Sequence, residues 1–274
     1  MRTEQISREE YHDILDIIKS VYGYDFSGYA QASLKRRLLK FMQQHRLPRV
    51  FDLKHMLVNN PDAEAQLINT LTVNVTEMFR DPSFFALLRE TILPRLASYP
   101  TIQIWHPGCA TGEEVYSMAI LLHEAGLLQR SRIYATDINP SNLERAAQGI
   151  IPISHMKDHT QNYLQSGGTR EFSDYYTARY DNAIIHKELR NNIIFSQHNL
   201  VTDAAFNRFQ LVCCRNVLIY FSKSLQNRVL QLFHDSLQHL GYLALGSKES
   251  LLSSDVQQEF ETINATNKIF RRVS

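Results

Sequence analysis

The sequence predicts an α/β domain preceded by an all-α one, and three observations carry that prediction. Up to about residue 72 the apolar positions recur at helical spacing and no convincing strand interrupts them. From Thr72 onward, short apolar runs alternate with helical patterns, which argues a mostly parallel sheet joined by crossover helices. The chain of 274 residues, 44% hydrophobic and 21% charged, allows one large domain or two modest ones with buried cores. That composition excludes disorder, collagen and a disulfide-stapled miniprotein. No apolar run approaches the roughly 18 residues that span a membrane. The first thirteen residues are polar and lack the apolar core of a secretory signal, so the expected location is the cytoplasm. Of three cysteines, Cys213 and Cys214 are adjacent; neighbouring strand side chains point to opposite faces, so those two do not bond. A reduced compartment fits.

Element by element, Ser7 with Glu10 forms a capping box, and Tyr11, Ile14, Leu15 and Ile18 follow at helical spacing. A second helix, over about 29–45, puts Leu34, Leu38, Phe41 and Met42 on one face. Its other face carries Lys35, Arg36, Arg37, Lys40 and Arg46. Between Gln31 and His55 seven Lys/Arg oppose one acid, Asp52, giving a local charge of +6. Two shorter helical patterns follow near 51–58 and 62–71. In the second part, residues 102–105, 132–136, 193–196, 209–214 and 242–245 read as strands. Residues 113–125, 140–147 and 224–240 read as helices between them. The Tyr- and Gly-containing stretch from Gly149 to Glu188 has hairpin-like signals and reads as an inserted subdomain. Residues 267–273 read as a last strand paired with 242–245.

Four motifs carry chemistry. In Ile102-Gln-Ile-Trp-His-Pro-Gly-Cys-Ala-Thr-Gly-Glu-Glu114 a strand enters a small-residue turn and then a helix that opens with two acids. Such a turn, at the carboxyl end of a first strand, lets the backbone approach a cofactor closely. No Lys-Ser/Thr follows for a P-loop, and Ala110 and Glu113 stand where a dinucleotide fingerprint needs glycines. Paired carboxylates at a helix start suit a cofactor with hydroxyls, an amine or a sulfonium; alternatively they only complement the helix dipole. Asp137 ends a strand about 25 residues after the turn, where it is either a ribose-binding carboxylate or a helix cap. Cys214-Arg-Asn216 ends an apolar strand abruptly, and Asn199 follows another strand at the same edge. That polar edge holds a ligand or merely turns the chain. Finally, Asn74, Thr76 and Arg80 lie in a segment joining the two parts, spaced too irregularly for one helix face. His106 and His198 are the histidines nearest these motifs and read as structural. Trp105 reads as core.

Taken together, Asn74-Val-Thr-Glu-Met-Phe-Arg80, Ala110-Thr-Gly-Glu-Glu114 with Tyr116-Ser117, Thr136-Asp-Ile-Asn139, Asn199-Leu200 and Cys214-Arg-Asn-Val-Leu-Ile-Tyr-Phe221 resemble the chemotaxis receptor glutamate methyltransferases, the CheR family. The match is ordered and collinear from about Asn74 to Phe270. The resemblance implies an S-adenosylmethionine-dependent methyltransferase with a Rossmann-like α/β domain and a small antiparallel β-subdomain inserted late in the sheet. It implies an all-α docking domain at 1–72, a linker at 73–90 contributing to the cofactor site, and a methyltransferase domain at 91–274 with 149–190 as the insert. Carried over by position, Asn74, Thr76 and Arg80 line the cofactor from the linker side and Glu114 lies at the turn. Asp137 takes the ribose hydroxyls, and Asn199, Leu200, Asn216 and Val217 complete the pocket. Arg80 and Tyr220 stand nearest the transferred methyl. Lys35, Arg36, Arg37 and Lys40 dock the helical cytoplasmic region of the receptor.

The implied reaction converts a receptor glutamate to its methyl ester and needs no metal, the product of the cofactor being S-adenosylhomocysteine. A carboxylate of pKa about 4.3 is already ionised, so no general base is required. This agrees with a sequence that offers no Ser/His/Asp constellation, no Gly-x-Ser-x-Gly and no zinc spacing. The expected partner is the receptor alone, with no nucleic acid, the membrane reached only through the receptor, and a monomeric enzyme. In family members that tether to a receptor tail peptide, the peptide adds to the subdomain's edge strand. Here residues 166–180 read as a longer, aromatic hairpin covering that edge, so methylation without a tail peptide is the expectation. Three rivals remain: a methyltransferase of nucleic acid using the basic face, a nicotinamide dehydrogenase, and a non-catalytic scaffold.

Overall fold

A computed structural model of the chain describes residues 6–252 and 254–274; residues 1–5, the start of the polar N-terminal stretch, lie outside them. The first part is a bundle of α1 (Arg8–Tyr22), α2 (Gln31–Gln44), α3 (Val50–Asn59) and α4 (Ala63–Leu71). The capping box forms: Ser7 N donates to Glu10 Oε2 at 2.9 Å and Glu10 N to Ser7 Oγ at 3.2 Å. Gly23, with φ 81°, ends α1 in the left-handed conformation glycine tolerates best. Ile14, Ile18, Leu34, Leu38, Phe41, Leu53 and Leu67 close the bundle's own core, each full burial contributing about 1.5–3 kcal/mol.

The chain then runs through Met78 and Phe79, both buried, into α5 (Pro82–Leu87), a π-helical turn (Leu88–Ile92) and α6 (Leu93–Leu96). Next come β1 (Ile102–Pro107), α7 (Glu113–Glu124), β2 (Ser131–Asp137) and α8 (Pro140–Gln148). The subdomain follows, with β3 (Ile150–Pro152), α9 (Met156–Gln165), β4 (Tyr176–Arg179) and β5 (Asn182–Ile185), then the short α10 (Lys187–Arg190). The main sheet resumes with β6 (Ile193–Gln197), β7 (Phe209–Cys214), α11 (Lys223–Ser236), β8 (Leu237–Leu245), β9 (Phe260–Asn264) and β10 (Ile269–Arg272).

The seven-stranded sheet has the order β6-β2-β1-β7-β8-β10-β9. β6 through β8 are mutually parallel, and β10 is antiparallel to both its neighbours. Every residue of β7 is buried, which is why Phe-Gln-Leu-Val-Cys-Cys reads as a continuous rather than an alternating run. From β1 the chain moves outward through β2 and β6, then returns to the other side of β1 as β7. That reversal opens a crevice at the carboxyl ends of β1 and β7, where open α/β sheets hold ligands.

The α/β domain, its all-α predecessor and the antiparallel insert (order β3-β5-β4) agree with the sequence. Four expectations are corrected. The insert leaves the sheet after its second parallel strand, not late. The last long helix ends at Ser236, because Leu237 already pairs with Phe209 and the chain continues as β8. β9, the antiparallel hairpin partner of β10, is a strand that the sequence pattern does not signal. Residues 166–180 are no covering hairpin: Phe172 and Tyr175 turn inward against Tyr163, and β4 is paired on one side only. Aromatic bulk there serves the core, so the outer edge of β4 stays open.

Candidate active site

A cavity of about 280 Å³ occupies the crevice between β1 and β7. Its floor is the turn after β1. Gly108 adopts φ +70°, and a Cβ there would lie 2.6 Å from Val217 Cγ2, so this position has no room for a side chain. Asp137, buried at the end of β2, braces the turn: its Oδ2 accepts from Ala110 N at 2.9 Å. Its Oδ1 accepts from Asn139 N at 2.9 Å and Asn142 Nδ2 at 3.3 Å. Burial raises the pKa of this carboxyl, and those N–H donors offset part of the rise. Asp137 is therefore both cap and cavity wall; the two readings of the residue are compatible.

Asn142 lines the same wall, and its buried Oδ1 has no hydrogen-bond partner. A buried amide oxygen left bare costs free energy, so it suits a hydroxyl or amine donor on a ligand. Asn74 does not line the cavity. Its Oδ1 accepts from Asn142 Nδ2 at 2.8 Å, so it orients Asn142 instead. Asn199 and Leu200, following β6 beside the end of β2, also line the cavity. Asn199 spends its side-chain oxygen on Val201 N at 2.9 Å, an Asx turn that leaves its amide N–H groups available.

Glu114 lines the cavity, yet both its oxygens are engaged. Oε1 lies 3.1 Å from His106 Nδ1, and Oε2 accepts from Arg215 Nη1 at 2.8 Å. Burial alone would raise its pKa; Arg215 and His106 outweigh that and lower it. Arg215 also donates to Asp81 Oδ2 at 2.5 Å and lies 4.1 Å over the Phe84 ring. This buried guanidinium, with two carboxylates, locks the end of β7, the start of α7 and the start of α5 together. His106 is thus part of a site network rather than isolated, a role one histidine beside a turn does not reveal. Glu113 turns away, its oxygen accepting from Thr111 Oγ1 at 2.7 Å.

Asn216 stands at φ 62°, a conformation asparagine accepts more readily than most side chains. Sequence reasoning missed what holds it. Buried Glu249 accepts from Asn216 N (3.0 Å), Gly246 N (2.6 Å) and Leu218 N (2.7 Å), so one carboxylate grips the loop carrying Asn216, Val217 and Tyr220. Burial raises its pKa against those donors. Nothing in the spacing of Glu249 from Asn216 announces the contact.

The remaining wall comes from the other side. Thr76 and Arg80 line the cavity from the joining segment, with Val75 and Ile219 at its mouth. The helical domain supplies Tyr29, Arg37, Leu71 and Thr72. Ala30 N donates to Tyr220 O and Ser222 N to Gly28 O, both at 2.8 Å, which stitches the segment before α2 to the loop after β7. Asn139 Nδ2 donates to Asn69 Oδ1 at 2.8 Å and Thr72 Oγ1 at 3.0 Å, a second stitch. The expected docking face is corrected here. Arg37 enters the cavity, its guanidinium 4.9 Å from the Tyr220 ring. Lys35 Nζ donates to Ile6 O at 2.9 Å and lies over the Tyr11 ring. Only Arg36 and Lys40 of that quartet remain exposed.

The donor set fits S-adenosylmethionine: a buried acid for hydroxyls, an unpaired amide oxygen, apolar walls and a small-residue turn whose Gly108 leaves no room for a side chain. Cys109 and Cys213 also line the cavity, but burial pushes both thiols well above the ordinary range and keeps them neutral. Among the described residues no group of His, Cys, Asp or Glu is arranged to hold a metal ion, and no helix is long and apolar enough to cross a membrane.

Comparison with known proteins gives two family matches, "CheR methyltransferase, all-alpha domain" over residues 9–72 and "CheR methyltransferase, SAM binding domain" over residues 74–269. A putative methyltransferase Cher3 of Pseudomonas putida is 48% identical over 272 residues, 99% of this chain and 100% of that one. The chemotaxis protein methyltransferase of Salmonella typhimurium is 34% identical, over 79% of this chain and 75% of its own. That of Listeria innocua is 30% identical, over 86% and 88%.

Proposed function

Since the chain belongs to the CheR methyltransferase family and is an S-adenosylmethionine-dependent methyltransferase, we propose that it esterifies glutamate side chains on the helical cytoplasmic region of a methyl-accepting chemotaxis receptor. The observation that carries this reading is one cavity lined by Asp137 and Asn142, residues suited to the cofactor, together with Arg80, Tyr220 and Arg37 of the basic helix α2. In this reading Asp137 takes the ribose hydroxyls, and Asn199, Leu200, Asn216 and Val217 close around the adenosine and methionine parts. Thr76 and Arg80 cover the cofactor from the joining segment. Asn74 acts through Asn142, and Glu114 acts by holding Arg215 and His106. Arg36 and Lys40 dock the receptor. The enzyme works as a cytoplasmic monomer, touching the membrane only through its substrate, and takes no nucleic acid.

The bound cofactor supplies a methyl group on a positively charged sulfur. The acceptor carboxylate, of pKa about 4.3, is ionised at neutral pH. With the cofactor bound, transfer of the methyl to the carboxylate oxygen would leave the bonding pair on sulfur and move no proton, so this path would need no base. Opposite charges vanish along that path, so a dry enclosure favours it, and Tyr29, Leu71 and Thr72 from the helical domain exclude water. Alignment of oxygen, carbon and sulfur supplies much of the rest. A guanidinium is no general base, so the role of Arg80 is to orient a carboxylate.

Calorimetry with S-adenosylhomocysteine, followed by transfer of labelled methyl to receptor-rich membranes, tests the reading. Binding together with base-labile label on the receptor is the expected result. Binding with label on nucleic acid, or with no acceptor labelled, would overturn it.

A further inference from the structure

We propose that Asn142 is a second ribose acceptor, its Oδ1 taking one hydroxyl of the cofactor's ribose while Asp137 takes the other. The inference rests on Asp137 serving the ribose, as proposed above, and divides that role. Asn142 stands in the first turn of α8 and is buried, yet it lines the cavity. Its Nδ2 donates to Asn74 Oδ1 at 2.8 Å and to Asp137 Oδ1 at 3.3 Å. Both amide N–H groups are thereby engaged, and Oδ1 is left without a partner. Such a bare acceptor is unfavourable until a donor meets it.

Asp137 alone has too few free sites for a diol. An ionised carboxylate offers about four lone-pair sites. Asp137 Oδ1 already accepts from Asn139 N and Asn142 Nδ2, and Oδ2 accepts from Ala110 N. About one site remains, on Oδ2, whereas a ribose brings two hydroxyl donors. The second hydroxyl needs another acceptor beside the first. Glu114 is taken by His106 and Arg215, and Asn199 Oδ1 by Val201 N. His106, His198 and Arg215 also carry buried atoms without partners at this cavity. Of these four residues, Asn142 is the one bonded to the Asp137 carboxylate, and its free atom is an acceptor whatever the pH.

The amide is also held in one orientation. A carboxylate only accepts, so the NH2 end of Asn142 must meet Asp137; a half-turn would set two acceptor oxygens against each other. The turn beneath it is fixed as well. Asn139, the N-cap of α8, accepts from Ser141 N at 3.0 Å, and its amide donates to Asn69 and Thr72 of the helical domain. An acceptor already fixed in place loses little freedom when a ligand arrives. Asp137 and Asn142 together therefore present the two acceptors that a vicinal diol requires.

Calorimetry with S-adenosylhomocysteine and its 2′-deoxy and 3′-deoxy analogues, on the full chain, tests the assignment. Wild type should bind both analogues more weakly than the parent compound. Asn142→Ala should bind S-adenosylhomocysteine about 3- to 12-fold more weakly, the scale of one hydrogen bond to a neutral group. It should then bind one of the two analogues as well as the parent compound, while keeping the penalty for the other. Asp137→Ala should show the reciprocal pattern beneath its own loss of affinity. Asn142→Val fills the site without an acceptor and should behave like Asn142→Ala; it decides should the alanine variant fail to fold. An unchanged S-adenosylhomocysteine Kd in the Asn142 variants, or a wild-type penalty for a single hydroxyl, would overturn the assignment. So would variants that keep both penalties, or that lose both together, since Asn142 would then act only by bracing Asp137. Wild type indifferent to both hydroxyls would instead overturn the ribose reading of Asp137 on which the assignment rests.

Discussion

Asp137 braces the floor of the cavity through Ala110 and lines the cavity itself; in the proposed function its remaining acceptor capacity serves the ribose hydroxyls. Asp137→Ala should therefore weaken S-adenosylhomocysteine binding by about 10- to 150-fold, or roughly 1.5–3 kcal/mol, with the fold retained. Asp137→Asn, which still accepts through one oxygen, should lie between that variant and wild type by calorimetry. Burial raises the pKa of both Asp137 and Glu249 from their ordinary values. Each must be ionised to accept its full set of hydrogen bonds. Cofactor affinity should then begin to fall on acidification before exposed carboxylates protonate. Stability moves the other way. Where the folded pKa exceeds the unfolded one, the folded state holds more protons between the two, so these groups stabilise as pH falls and that contribution fades as pH rises through the folded pKa. Asp25, lowered to about 2 beside Lys19, has the opposite sign: its contribution is present above its unfolded pKa of 3.8 and is lost as pH falls toward 2. Calorimetric titrations and thermal melts over the same pH series separate these effects.

At the scale of the element, α2 divides its circumference three ways. Leu34, Leu38, Phe41 and Met42 enter the bundle core, Lys35 and Arg37 turn to neighbouring segments, and Arg36 and Lys40, one helical turn apart, face solvent. A single exposed charge contributes little to stability. A pair on a docking face contributes instead to steering and register. Reversing both charges, Arg36→Glu with Lys40→Glu, should cut receptor methylation several-fold, leave S-adenosylhomocysteine affinity unchanged, and remove most of the salt dependence of the wild-type rate. Equal rates for variant and wild type across ionic strengths would show that this face is merely solvated. The insert illustrates a related point. Tyr163 and Tyr175 both donate to Glu124, Arg89 pairs with the same carboxylate, and these bonds clamp the subdomain to the α/β domain. The inward aromatics leave β4 unpaired on its outer side, so strand addition there remains open.

At the scale of the molecule, the bundle and the sheet have separate cores but share one cavity, stitched by Tyr29, Ala30 and Asn139. The sole tryptophan, Trp105, lies in the sheet and reports on that part alone. Tryptophan fluorescence and far-ultraviolet circular dichroism should give coincident thermal transitions, the mark of one cooperative unit. S-adenosylhomocysteine at a hundred times its Kd should stabilise both signals together by about 2.7 kcal/mol through mass action. A dichroism change that precedes the fluorescence change, and that the ligand does not shift, would show that the bundle unfolds alone.

The sequence by itself determined whatever depends on local pattern. Apolar periodicity of 3.6 residues built the bundle, the unbroken run from Phe209 to Cys214 announced a strand buried on both faces, and the Gly108–Gly112 turn with Asp137 located the crevice. It also carried the family, because collinear motifs survive without knowledge of their contacts. Tertiary structure alone decided which charges are free. Lys35, Arg36, Arg37 and Lys40 look alike along the chain, yet contacts with Ile6 and Tyr220 turn two of them inward. It likewise decided that Glu249 grips Asn216, that Asn74 works through Asn142, and that Arg215 joins Glu114 to Asp81. These pairings join residues 33 to 134 positions apart. Pairings at that distance arise from how elements pack, and no period or spacing in the chain encodes them.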